Sequence, residues 1–73
     1  MGIFLAVQLK QLRALRERAA LSQEQLAAQS GVSRYTISRL EALERSARPT
    51  TTQKLARALG VRPVALMDSS QNE

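Results

Sequence analysis

Within six consecutive residues, Arg34-Tyr35-Thr36-Ile37-Ser38-Arg39, stand two arginines, a tyrosine, a threonine and a serine. On a helix, at about 100° per residue, Ile37 and Leu40 share one side. Tyr35, Ser38, Arg39 and Ala42 point the opposite way, with Arg34 on the flank. A guanidinium can donate twice to O6 and N7 of guanine, and the duplex major groove admits an α-helix. Thr36 or Tyr35 could reach a thymine methyl or a phosphate. The strip carries no acid until Glu41, and charge alone would make it an ordinary solvated basic face. Other chemistries lack their residues. With no His and no Cys there is no zinc site of Cys/His type, no disulfide and no imidazole or thiol mechanism. No Gly-rich phosphate loop or acid pair at catalytic spacing is present, and nothing activates Ser38. An enzyme, a metal and a cofactor are not expected.

These side chains need a scaffold, and the composition points to an all-α one. Seventy-three residues suffice for one small domain of marginal stability. Ala, Leu, Arg, Gln and Glu favour helix, strand-like alternation is missing, and aromatics at 3% leave an aliphatic core. The longest apolar run, Ile3 to Val7, is far shorter than the ~20 residues of a membrane span. It also lacks the basic start of a secretory signal, so a cytoplasmic setting is expected. Formal charge is +5, and the partner that suits it is double-stranded DNA rather than a membrane.

Local signals divide the chain. Residues 1–8 form an extension or the start of a first helix, 9–67 the domain, and 68–73 a flexible polar tail. Leu5, Leu9, Leu12 and Ala19 make a helical stripe, predicting a first helix over about Leu5 to Ala20. Ser22 reads as the N-cap of a second helix, Gln23 to Gln29, that stops at Gly31. Ser33 caps a third, Arg34 to about Leu43. A fourth runs from about Thr52 to Leu59 and closes at Gly60, and Pro63 starts a fifth that ends near Met67.

Helices two and three, joined by a short glycine turn, have the frame of a helix-turn-helix. Ala27 is small enough to sit where they cross, and Ile37 and Leu40 face back into the core. The bland counterpart is any helical hairpin in a bundle. The chain resembles the phage repressor and Cro-like helix-turn-helix family in its five-helix form. The resemblance rests on Leu21-Ser22-Gln23-Glu24-Gln25-Leu26-Ala27, Gly31-Val32-Ser33, Thr36-Ile37-Ser38-Arg39-Leu40-Glu41 and Leu55-Ala56-Arg57-Ala58-Leu59-Gly60-Val61. In order and near family spacing, these stretches cover roughly Leu9 to Met67. The resemblance implies that Arg34, Tyr35, Thr36, Ser38 and Arg39 face base edges or the adjoining backbone, and that Gln23 contacts a phosphate. A helix N-terminus offers amides suited to that contact. Ser33 is chiefly a cap that could also touch a phosphate, and Arg45 and Arg48 flank the loop after the third helix as further phosphate contacts. Lys10, Arg13, Arg18, Lys54, Arg57 and Arg62 are assigned no role. One position departs from the family pattern: where a glycine often follows two residues after the glutamate, this chain has Leu43. That predicts a longer third helix and a different path through Arg45 to Pro49.

Arg16 falls on the apolar stripe of the first helix. A buried guanidinium must either snorkel out or meet a carboxylate. Glu41 is the natural partner, Glu44 competes on helical angle, and in the family an arginine and a glutamate at the positions of Arg16 and Glu41 pair. The expected clamp joins the first helix to the third and leaves Arg16 near a phosphate.

A lone domain reads few base pairs, so the expectation is a homodimer on an inverted-repeat operator, with two third helices about 34 Å apart. Surplus apolar residues that could join the copies are Ile3, Phe4 and Val7, or Val64, Leu66 and Met67, with Leu66 the best suited to ordinary core. The leading expectation is a sequence-specific DNA-binding transcriptional regulator. The alternative is an antitoxin-like or adaptor module that mainly binds a protein partner, with DNA binding kept for autoregulation.

Overall fold

The computed structural model describes residues 6–67. Five helices follow in order: α1 Leu12–Arg18, α2 Gln23–Ser30, α3 Arg34–Glu41, α4 Pro49–Leu59 and α5 Pro63–Met67. The architecture is the all-α, five-helix one expected. Its core is aliphatic: Leu9, Leu12, Leu26, Ile37, Leu40, Leu55 and Leu66 are all fully enclosed. Helix α2 packs on both α3 and α4, α5 on α4 and α1, and α1 on α3. Leu12 of α1 and Ile37 and Leu40 of α3 belong to the same core cluster. Among the described residues, no helix is long and apolar enough to cross a membrane.

The caps explain where α2 and α3 start. Ser22 Oγ accepts from the Gln25 amide at 3.0 Å, and Gln25 Oε1 accepts from the Ser22 amide at 2.8 Å, a reciprocal capping box. Ser33 Oγ accepts from the Thr36 amide at 3.1 Å. Gly31 ends α2 at φ 80°, a left-handed conformation that a side chain disfavours. A Cβ added there would meet nothing within 4 Å, so the requirement is on the backbone and not on space.

Three boundaries differ from the sequence expectation. Helix α1 begins at Leu12 and not near Leu5. The Val7 amide donates to the Ala47 carbonyl at 3.0 Å and the Ala47 amide to the Val7 carbonyl at 2.7 Å. An isolated antiparallel bridge thus takes the groups a helix would have used. Leu9 stays in the core without being helical, while Leu5, Ile3, Phe4 and the 68–73 tail lie outside the described residues. Helix α4 starts at Pro49, earlier than Thr52. Proline suits the first helical position, where its missing N–H is no loss, and Thr52 Oγ1 donates back to the Arg48 carbonyl at 3.1 Å.

The third correction is at Leu43. Helix α3 does not run on; it ends at Glu41, and Leu43 takes φ 59°. The Leu43 amide donates to the Leu40 carbonyl at 3.1 Å and the Glu44 amide to the Arg39 carbonyl at 3.0 Å. That pair of bonds is the Schellman stop, which satisfies carbonyls left over at a helix end. Leucine therefore occupies the left-handed place a glycine would fill more cheaply. Ala20, at φ 61°, closes α1 in the same way.

Candidate nucleic-acid interface

Helix α3 separates its two sides sharply. Ile37 and Leu40 are sealed in the core, while Arg34, Tyr35 and Ser38 are exposed, Tyr35 to 63%. Thr36 is half-buried and turned toward its cap, accepting on Oγ1 from Ser33 Oγ at 2.9 Å. Ser33 thus serves the first turn of α3 through both its oxygen and its hydrogen.

Arg39 is half-buried, unlike Arg34, Tyr35 and Ser38. Its Nη1 donates to the Tyr35 hydroxyl, and its guanidinium carbon lies 5.3 Å from the centroid of the Tyr35 ring. Its Nε is 2.8 Å from Glu44 Oε1. That N–H is out of solvent and makes no hydrogen bond, so the contact with Glu44 is an ion pair by distance alone.

Beside α3, the ends of α1 and α2 converge on Glu41. Arg16 Nε donates to Glu41 Oε2 at 2.6 Å, and Nη2 to Oε1 at 2.9 Å. Gln23 Nε2 donates to the same Oε1 at 3.0 Å, and Arg16 Nη1 to the Leu21 carbonyl at 2.8 Å. The two charged side chains keep only 12% and 5% of their exposure. A carboxylate with three donors and a guanidinium gripped bidentately offset the desolvation that burial imposes. The Arg16 guanidinium is held above its ordinary value, chiefly by its hydrogen bond to Glu41, against the opposing effect of burial.

Outward from this cluster opens a cleft of about 330 Å³, lined by Arg13, Arg16, Gln23, Ser38, Glu41 and Ala42. The cleft is open to solvent and has room for several waters. The structure thus gathers Arg16, Gln23, Ser38 and Glu41 in one place. Arg34, Tyr35 and Arg39 stand on the exposed part of α3. Arg45 and Arg48 are exposed in and at the end of the loop before α4 and form no part of the cleft wall.

Sequence reasoning missed two participants. Arg13 lines the cleft; it lies three residues before Arg16 and so on the same helical side, which is the signal that could have found it. Its Nε also donates to Glu17 Oε2 at 3.0 Å. Glu44 meets Arg39 and not Arg16, because the turn at Leu43 carries it back along α3.

Comparison with known proteins bears on the fold and the family. A helix-turn-helix family model matches residues 12–66. Over 59 residues the chain is 49% identical to the HTH-type transcriptional repressor RghR of Bacillus subtilis strain 168, covering 80% of this chain and 44% of that one. The chain therefore spans less than half the length of that relative. Among solved structures, the restriction-modification controller protein C.AhdI from Aeromonas hydrophila is 39% identical with a TM-score of 0.76, over 84% of this chain and 94% of that one. The hypothetical transcription factor NHTF from Neisseria is 33% identical with a TM-score of 0.78, over 90% and 74%. With most of its length matched and its two capped helices set around a glycine turn, the chain belongs to the Cro- and repressor-type helix-turn-helix family.

Proposed function

We propose that this chain is a sequence-specific transcriptional regulator that binds an inverted-repeat operator as a homodimer. Helix α3 lies in the major groove in this reading. Arg34, Tyr35, Thr36, Ser38 and Arg39 meet base edges or the adjoining backbone. Gln23, Ser33, Arg16, Arg45 and Arg48 contact phosphates, and the cleft between α1, α2 and α3 receives one of them. The observation that carries the proposal is the polar exposed side of α3, backed by a sealed aliphatic side and bordered by a polar cleft that carries Arg13 and the Arg16–Glu41 pair. Repression, the sign carried by the Bacillus relative's name, is proposed on that likeness.

A second copy would meet this one through α5. Leu66 is core and Met67 packs against it, whereas Val64 is 50% exposed and remains available. Selection of duplexes from a random pool, at stated salt, tests the whole reading. The expected product is a two-fold symmetric consensus, with Arg34→Ala losing preference at one base pair in each half. A good bidentate contact is worth about 1–3 kcal/mol of such discrimination. A pool with no enrichment, or an asymmetric single site, would overturn it.

A further inference from the structure

Arg39 is held from two sides by its own chain. Tyr35 offers a hydroxyl acceptor and a ring face, and Glu44 places a carboxylate oxygen 2.8 Å from Nε. The turn at Leu43 makes this possible. The left-handed residue folds the chain back so that the Glu44 amide bonds the Arg39 carbonyl, and the side chains of the same two residues meet. Had α3 continued as a helix, residue 44 would stand five positions on, away from Arg39.

The side chains of Arg39 and Glu44 are 40% and 56% exposed, and ion pairs in that setting add little to stability. Their consequence lies elsewhere. An arginine loses much rotamer freedom on binding, and one already held by neighbours loses less. A carboxylate beside it also opposes the approach of phosphates, which are the sequence-independent partners.

We infer that Glu44 is a specificity-positioning residue: with Tyr35 it holds Arg39 for a single base edge and discourages its use as a general phosphate contact. This rests on the reading of α3 as the base-reading helix and adds a residue outside that helix to its specificity.

The test uses the full chain and three kinds of duplex: the selected consensus, its single-base-pair variants and a scrambled sequence, each at several salt concentrations. E44Q is expected to bind the scrambled duplex at least threefold tighter. It should lose about fivefold or more of its discrimination at one base pair per half-site, the same pair lost in R39Q. E44D should restore most of the preference, and melting temperatures should stay within about 2 °C of one another. A wild-type protein that discriminates, together with E44Q that keeps its preference at every position, overturns the positioning role alone. So does an E44Q loss spread evenly over all positions, which marks a structural effect. A wild-type protein with no preference for the consensus overturns the reading of α3, and this inference with it.

Discussion

Arg16 and Glu41 are the side chains at which, under the proposed function, stability and binding meet. The carboxylate takes two hydrogen bonds from Arg16 and one from Gln23, and both charges are nearly out of water. Removing one partner of such a pair strands the other, a loss of about 3–5 kcal/mol. Glu41→Ala is therefore expected to lose about 3 kcal/mol in urea unfolding, and DNA affinity with it. The double variant Arg16→Met with Glu41→Leu separates the two effects, because an apolar pair can replace a buried ion pair at little cost. Its stability should return while its DNA affinity does not, if Arg16 also meets a phosphate. Arginine's raised value fixes the pH window. A group raised on folding stabilises below its unfolded value, so the arginine side of this pair is in force through neutral and moderately alkaline pH.

For the helices, the capping serines and glycines are legible in the sequence, and the left-handed residues other than glycine are not. Ser22, Ser33, Gly31 and Gly60 occupy the cap positions their residue types favour. Leu43 and Ala20 do the same work without being glycine, and so give no local sign. A left-handed conformation costs a residue with a Cβ roughly 1–2 kcal/mol. Glycine loses about 0.5–1 kcal/mol more backbone freedom on folding. The backbone difference alone makes Leu43→Gly stabilising by about 0.5–1 kcal/mol, and Leu43, 42% exposed, is among the large apolar residues with least packing to lose. In a domain of this size that is a rise of about 2–8 °C in Tm. A fall in Tm would mean that Leu43 packs in a way its exposure does not suggest.

Across the whole molecule, the proposed function gives the excess of positive charge the part of setting how tightly a duplex is held, and α3 the part of choosing which one. Each phosphate neutralised contributes about 0.9 to the slope of log affinity against log salt. Arg45→Gln is expected to lower that slope by about 0.9 per protomer and to weaken consensus and scrambled duplexes alike, as measured by titrations between low and physiological salt. An effect confined to the consensus would place Arg45 on a base instead. The scaffold that carries these charges has little stability to spare. Leu26 is sealed between α2 and its neighbours, and Leu26→Ala should cost about 2–5 kcal/mol, a large share of what a small domain possesses.

The order of the five helices, the polar and apolar sides of α3, and the cap at each entry to α2 and α3 followed from residue types a few positions apart. Spacing and short-range hydrogen bonding are enough to settle such features. The bridge from Val7 to Ala47, the early start of α4, the left-handed Leu43 and the pairing of Glu44 with Arg39 were decided by the folded chain alone. Each depends on which distant backbone or side-chain group is brought within reach. Several local choices compete for the same amides and carbonyls there, and the packing of the whole core selects among them.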